Sequence, residues 1–197
     1  MQDLLDLNGV VSKVYQRKKV RFPRLDMKNK VKIVVFADAS FGNLDEKVNS
    51  SRGYVIFLSA GENACCLTWA ANKVSRVVSS TIESETLALV DGLNHAVWLR
   101  GIVAELMYGK DSEEKLISIV GFTDSNQLAQ ALYSTQHVSN HKLRRDVENI
   151  KERLCNGEIS EVRWVPTDQM LADPLTKKGA DCSKLDYVLE SGRMFNV

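Results

Sequence analysis

Four acidic residues of the sequence lie where predicted strands end or predicted helices begin. Asp38 ends the apolar run KIVVFA, and Asp124 follows LISIVGFT with the same order of apolar run, acid and small polar residue. Glu85 lies in the first turns of a predicted long helix, and Asp173 lies in a short segment after the last predicted strand. If the first and fourth strands are parallel neighbours, Asp38 and Asp124 lie side by side at their carboxyl ends, where open α/β sheets bind ligands.

Such a group of carboxylates has a definite chemistry. Carboxylates held close together repel one another unless one is protonated or a cation lies between them. Three or four of them without a histidine favour a hard, oxygen-seeking cation, magnesium above zinc. A site of this kind suits in-line phosphoryl chemistry, in which two metal ions activate water and stabilise the leaving oxygen. The other interpretation is that each acid caps a turn where its strand ends, and spacing alone leaves both open.

The long helix offers two glutamates for this site, and only one can serve it. Glu83 and Glu85 point about 200° apart on a helix with 100° per residue. Glu85 lies beside the small residues Ala88, Gly92 and Ala96 of the predicted sheet-facing stripe, where the helix can approach closely. Glu83 is expected further round towards solvent. The prediction therefore selects Glu85.

Hydrophobic periodicity predicts an α/β fold, a five-stranded mixed sheet flanked by helices. The first strand is expected to end at Asp38 and to be followed by a polar loop, GNLDEKVNSSRG. The first three strands pair most simply as an antiparallel meander. The predicted strands cover residues 32–36, 54–60, 65–71, 116–122 and 160–166. The predicted helices cover residues 2–20, about 79–107, 125–133, 140–155 and about 170–177.

The charge of the chain is balanced overall but not locally. The formal net charge is +1 over 197 residues, of which 44% are hydrophobic, so the composition suits one globular domain. Basic residues crowd the stretch from Lys13 to Lys30, where Asp26 is the single acid, and HKLRR at 141–145 is a second basic cluster. Clusters like these are either solvated faces or nucleic-acid contacts.

The cysteines indicate a reducing compartment. The four cysteines form no CxxC pair, and the chain has only three histidines, so a standard zinc site is not expected. The sequence shows no signal peptide and no membrane-length apolar run. We therefore expect free thiols and an intracellular protein. The expected location is the cytoplasm, which includes a virus-like particle, or the nucleus, and no membrane partner is expected.

Four stretches in order carry a family resemblance. FADASFGN, SSTIESETLALVDGLNHAVWLRGIVAEL, FTDSNQLAQAL and VRWVPTDQMLADPLTKKGA together resemble the ribonuclease H domain of copia-type retrotransposon Pol polyproteins. The resemblance covers about residues 30–180 and implies a ribonuclease H-like fold. It implies three regions: a basic helical linker from the reverse-transcriptase connection at 1–30, the ribonuclease H-like domain at 31–180, and a C-terminal tail at 181–197.

The resemblance also implies an activity and its residues. Carried over one at a time, the catalytic and metal-binding acids of the family fall on Asp38, Glu85, Asp124 and Asp173. In the family they bind two magnesium or manganese ions and hydrolyse the RNA strand of an RNA–DNA hybrid. The implied partners are that hybrid and the reverse-transcriptase domain of the same polyprotein.

Residues near these acids are candidate contacts to the nucleic acid. Groups beside the scissile phosphate can sense the 2′-hydroxyls of the RNA strand. Small polar residues close to the acids suit this role, and basic or hydroxyl residues before the long helix suit phosphate contacts. The first set is Ser40, Asn43 and Ser125, and the second is Lys73, Arg76, Ser79 and Ser80. The small polar residues have a simpler interpretation as turn or helix caps.

Two other functions remain open from the sequence. Cellular ribonucleases H carry a histidine in a loop before the last acid, whereas here the corresponding loop is the short PTDQM, which puts turnover in question. A domesticated or decayed relative would bind nucleic acid without cutting it. An integrase-like strand transferase usually has a glutamate on a helix as its final acid, and the ending LADPLTK fits that class poorly.

Overall fold

A computed structural model describes residues 19–26, 29–44, 49–74, 78–109, 117–135 and 140–194. The helix predicted over residues 2–20 lies almost wholly outside these residues. The strands are β1 (Val31–Leu44), β2 (Asn49–Ala60), β3 (Asn63–Lys73), β4 (Ser118–Thr123) and β5 (Glu161–Trp164). The helices are α1 (Thr81–Tyr108), α2 (Asn126–Tyr133), α3 (His141–Cys155), α4 (Asp173–Thr176) and α5 (Ser183–Ser191), with a 3₁₀ turn at Thr167–Gln169.

The strands form one mixed sheet in the order β3-β2-β1-β4-β5. Strands β1, β2 and β3 pair antiparallel, whereas β1–β4 and β4–β5 pair parallel. This arrangement confirms the predicted five-stranded mixed sheet and its antiparallel meander. It also meets the condition that the first and fourth strands are parallel neighbours. The two parallel pairs bring the carboxyl ends of β1, β4 and β5 to the same end of the sheet.

Helices and the C-terminal segment cover opposite faces of the sheet. Alternate residues of β1 point to the two faces, so that Val35 packs with α1 while Phe36 packs with the segment after β5. The predicted stripe of α1 is buried, as Leu89 and Leu93 are fully enclosed. Gly92 lets α1 approach closely, because a Cβ there would lie 2.8 Å from Val35 Cγ1.

Strand β1 continues past Asp38, which corrects the predicted strand end and the predicted polar loop. The parallel ladder with β4 does stop early, at the pair Phe36 and Phe122. The antiparallel ladder with β2 goes on through Asp38 opposite Gly53 and beyond it, because β2 already begins at Asn49. The polar stretch therefore forms strand on both sides of residues 45–48, which lie outside the described residues.

The expectation that Glu83 faces solvent is also wrong. Only 1% of Glu83 is exposed. Ser80 is the N-cap of α1, and its Oγ accepts a hydrogen bond from Glu83 N at 3.4 Å. The Glu83 carboxylate in turn accepts hydrogen bonds from Ser79 N at 2.8 Å and from Ser79 Oγ at 2.9 Å. Glu83 is buried because it closes a capping arrangement with the residues that precede the helix.

The C-terminal region contains a helix that the sequence did not predict. Helix α5 buries Leu185 and Val188 against the sheet face opposite α1. The residues after it lie along the start of β3, where Ala64 N donates to Gly192 O at 2.8 Å. Arg21, which precedes β1, donates its backbone N–H to Leu189 O in α5 at 2.7 Å. The segment before β1 therefore contacts the C-terminal helix.

Two observations concern compartment and membranes. All four cysteines lie in described segments, and each is a free thiol. Among the described residues, we find no helix that combines the length and the apolar character needed to cross a bilayer.

We predict that the buried cap of α1 contributes measurably to stability. Glu83→Ala removes the acceptor of two hydrogen bonds and should lower the free energy of unfolding by about 1–3 kcal/mol. Glu105→Ala is the matched control, since Glu105 lies exposed on the same helix. Urea denaturation of both variants measures the difference. Equal stability of the two variants would contradict a structural role for Glu83.

Candidate metal centre

Three carboxylates converge at the end of the sheet where the parallel strands finish. Asp38, Asp124 and Asp173 each place one oxygen within 4.8 Å of the others. Asp38 lies within β1, Asp124 follows β4 directly, and Asp173 is the first residue of α4. The parallel pairing of β1 with β4 therefore sets the first two acids side by side, and α4 brings in the third.

The short helix α4 can lie on the sheet because β2 has a glycine opposite Asp38. A Cβ at Gly53 would come within 3.0 Å of both Leu175 Cβ and Thr176 Cγ2. The backbone carbonyl of Thr176 accepts a hydrogen bond from Ser51 Oγ at 2.9 Å. The side-chain hydroxyl of Thr176 donates a hydrogen bond to Asp38 Oδ2. These contacts fix the end of α4 against the two strands that carry and face Asp38.

The residue after α4 adds a positive charge to the cluster. Lys177 Nζ lies 3.3 Å from Asp38 Oδ1 and also forms an ion pair with Asp173 Oδ1. The pKa of Lys177 is raised, because the hydrogen bond to Asp173 and the charge of Asp38 outweigh the opposing effect of burial, which is the largest single contribution. Lys177 is therefore protonated at neutral pH and neutralises part of the cluster.

Asp124 is held by residues that follow β5. Thr167 Oγ1 donates to Asp124 Oδ2 at 3.0 Å, and the indole Nε1 of Trp164 donates to the backbone carbonyl of Asp124 at 2.9 Å. Both donors come from the chain that runs from β5 towards α4. The same segment thus positions Asp124 and delivers Asp173.

Glu85 lies beside the three aspartates with one oxygen unsatisfied. It is 5% exposed, and its Oε2 has no hydrogen-bond partner among the described residues. Glu85 lines a cavity of about 380 Å³ together with Asp124, Ser125 and Lys177. A buried carboxylate oxygen without a donor is costly unless the group is protonated or a cation binds it.

The surroundings raise the pKa of two of these acids. Burial raises the pKa of Glu85 to about 9, and the charges of Asp38 and Asp124 add to the effect. Burial also raises the pKa of Asp38 to about 6, although the Thr176 hydrogen bond and the Lys177 charge act against it. Both carboxyl groups are therefore destabilised as anions, which is the condition that a bound cation would relieve.

The donor set fits a hard divalent cation. All candidate ligands are carboxylate oxygens, with no histidine or cysteine among them, and Glu85 Oε2 has no hydrogen-bond partner among the described residues. Asp38, Asp124 and Asp173 lie close enough to share one ion. Glu85 is not part of this group of three, but it lines the cavity that Asp124 also borders. The arrangement suits a divalent cation that prefers oxygen ligands.

Two of the candidate nucleic-acid contacts lie in the wall of the cavity. Ser40 and Ser125 both line it. Ser40 Oγ is 2.6 Å from Ser51 Oγ, and Ser125 Oγ caps α2 by accepting from Leu128 N at 3.3 Å. Each hydroxyl therefore already has a structural partner beside the acids.

The remaining candidate contacts are spread around the site. Lys73 is exposed at the end of β3, opposite Ser51, and so lies at the same end of the sheet as the acids. Ser79 and Ser80 are engaged with the start of α1. The side chain of Asn43 and the whole of Arg76 lie outside the described residues.

Sequence reasoning missed the residues that support the acids. Thr167, Thr176 and Lys177 all contact one of the aspartates. All three belong to the stretch VRWVPTDQMLADPLTKKGA, whose two threonines and first lysine are part of the resemblance. That motif was the signal that could have identified them.

Comparison with protein families and curated proteins gives little. No family model matches the chain. The secreted RxLR effector protein 161 of Plasmopara viticola is 34% identical over 68 residues, which are 34% of this chain and 45% of that protein. The chain therefore spans less than half the length of this curated relative.

Solved structures show the fold. Ribonuclease H1 from the archaeon Halobacterium salinarum matches with 18% identity and a TM-score of 0.50, over 74% of this chain and 94% of that one. The N-terminal ribonuclease H domain of rv2228c from Mycobacterium tuberculosis matches with 18% identity and a TM-score of 0.51, over 74% and 91%. LC11-RNase H1, solved in complex with an RNA/DNA hybrid, matches with 14% identity and a TM-score of 0.52, over 74% and 94%. The chain has the ribonuclease H fold.

Proposed function

We propose that this protein is a metal-dependent ribonuclease H, an endonuclease that hydrolyses the RNA strand of RNA–DNA hybrids. The observation that carries the proposal is the convergence of three aspartates beside a buried glutamate oxygen that has no partner among the described residues. The fold supports it, and one neighbour on that fold was solved with an RNA/DNA hybrid bound.

In this proposal each acid has a role as a ligand. Asp38, Glu85, Asp124 and Asp173 would hold magnesium or manganese, and the bound metal would supply Lewis-acid chemistry that activates water and stabilises a leaving oxygen. Thr167 and Thr176 orient Asp124 and Asp38 through the hydrogen bonds that they donate. The rigid strand and helix positions of these residues keep the ligands in place before substrate arrives.

Recognition of the hybrid falls to residues around the cavity. The hydroxyls of Ser40 and Ser125 lie in its wall, where the 2′-hydroxyl of an RNA strand would distinguish RNA from DNA. Lys73, exposed at the same end of the sheet, suits a phosphate contact. Asn43, Arg76, Ser79 and Ser80 remain candidates from the sequence.

The resemblance supports a wider context for the domain. We propose that it belongs to a copia-type retrotransposon Pol polyprotein, with residues 1–30 as the basic connection from a reverse-transcriptase domain, 31–180 as the nuclease domain and 181–197 as a tail. Its place would be inside the cell, in the cytoplasm, a virus-like particle or the nucleus. The basic stretch from Lys13 to Lys30 suits a connection that runs along nucleic acid.

We predict that the metal-free protein loses stability as the pH rises. The pKa values of Asp38 and Glu85 are raised in the folded state to about 6 and about 9, so the folded protein binds more protons than the unfolded chain. The free energy of unfolding should therefore be highest near about pH 4 and fall up to about pH 9. Calorimetry in a chelator across this range measures the trend.

Magnesium should oppose this loss, because an ion that binds only the folded protein stabilises it. The rise in melting temperature with millimolar magnesium should be larger at about pH 8 than at about pH 5, since protons compete for the carboxylates. Glu85→Gln should flatten the pH trend, and Glu105→Gln should leave it unchanged. A melting temperature that does not respond to magnesium even at about pH 8 would count against the metal centre.

We predict that cleavage requires both Glu85 and Asp124, two of the four proposed ligands. Glu85→Gln and Asp124→Asn should each reduce cleavage of a labelled RNA–DNA hybrid by about a thousandfold at fixed magnesium, since each removes a ligand charge. Both should stay folded by circular dichroism. Glu105→Gln is the matched control, because Glu83 is a buried cap and would confuse loss of stability with loss of activity.

The same assay distinguishes the alternative of a binding-only relative. If the protein only binds nucleic acid, the parent chain will shift the hybrid in a gel but will show no magnesium-dependent cleavage. Full activity in both ligand variants would instead exclude the carboxylate mechanism.

A further inference from the structure

The carboxylate cluster already contains a cation that belongs to the protein. The ammonium of Lys177 lies 3.3 Å from Asp38 Oδ1 and forms a second ion pair with Asp173 Oδ1. These are two of the four acids that the proposed function assigns to metal binding. An ion held between Asp38 and Asp173 would compete with Lys177 for these two carboxylates.

The position of Lys177 is set by the backbone around it. Lys177 N donates to Asp173 O at 3.0 Å, which closes the turn of α4 and puts the lysine four residues after the aspartate on the same side. The preceding residue is held on both sides, by Ser51 at its carbonyl and by Asp38 at its hydroxyl. The lysine therefore leaves a fixed turn directly beside the acids.

The other side of the cluster is arranged differently. There Glu85 Oε2 lacks a partner among the described residues, and Glu85 and Asp124 face the cavity of about 380 Å³, which Lys177 borders while its ammonium pairs with Asp38 and Asp173. One side of the cluster is thus neutralised by the protein, and the other side has an unsatisfied carboxylate next to open space. The two sides differ in their need for an added cation.

We propose that Lys177 takes the place of one metal ion, so that the site binds a single divalent ion on the side of Glu85 and Asp124. This inference rests on the proposed function, and it departs from the two ions that the sequence resemblance implies. Lys177 supplies the second positive charge between Asp38 and Asp173. It is a positioning residue, which holds these two carboxylates together without an ion between them.

The experiment counts manganese ions bound per chain. Free manganese is measured by electron paramagnetic resonance during titration of the full chain, with and without an RNA–DNA hybrid. The hybrid is made uncleavable by replacing the bridging 3′-oxygens of its RNA strand with methylene groups, which keeps the 2′-hydroxyls in place. Lys177→Met is compared with Lys178→Met, a matched control because Lys178 is the exposed neighbour. We expect one ion in the parent and in Lys178→Met, and two in Lys177→Met with the hybrid present.

Two further variants keep the test decisive. Lys177→Arg retains the charge and should still bind one ion, and Lys177→Gln replaces the methionine variant if that one fails to fold by circular dichroism. In chelator, loss of the ammonium should lower the melting temperature, whereas Lys178→Met should not.

The outcomes separate this inference from the function on which it rests. Two ions in the parent chain would overturn the role of Lys177 and leave a metal-dependent nuclease intact. One ion in both the parent and the charge-removing variant would also overturn it. If neither protein binds manganese, the metal centre itself is wrong, and the proposed function falls together with this inference.

Discussion

The burial of carboxylates gathered at one end of the sheet, together with the repulsion between them, is the constraint on which the rest of this structure depends. Asp38 and Glu85 are buried, so the ionised form of each lacks the hydration that it would have in water. The protein compensates chiefly from one short segment, which runs from the end of β5 through α4. That segment provides the hydroxyls of Thr167 and Thr176 and the ammonium of Lys177. A charged cluster is compatible with a stable sheet because this segment covers it.

Much of the fold could be predicted because its elements have strong local signals. The buried strands are continuous apolar runs, and α1 begins at a serine cap and keeps a helical stripe as far as the sheet needs it. One error arose where a distant strand decides, and the other where a local helix cap decides. Strand β1 extends past Asp38 because β2 pairs with it, and polar residues in that stretch gave no local sign of this. Glu83 is buried because the chain before α1 folds over it, and helical phase alone cannot show that.

The acids of the candidate site could be found for a similar reason, since each has a recognisable local position. Asp38 follows the buried apolar run of β1, Asp124 follows β4, and Glu85 and Asp173 lie in the first turns of their helices. Their support could not be found in this way. Gly53 matters because α4 lies against it, and the contact joins residues more than a hundred positions apart. Lys177 resembles any exposed lysine until α4 is placed beside β1. Periodicity predicts which face a residue takes, whereas these contacts depend on how two elements meet.

The pairing of residues 192–194 with the start of β3 has a practical consequence for work with this protein. Met194 N donates to Glu62 O at 2.8 Å, and Asn63 forms a bridge with Arg193, so the backbone at this end of the outer strand is already occupied. A protein shortened to residues 31–180 would lose these partners together with α5. Unpaired edge strands add strands from other molecules, which leads to aggregation. A protein limited to the residues that carry the family motifs would therefore be prone to aggregation, even though it contains every acid of the candidate site.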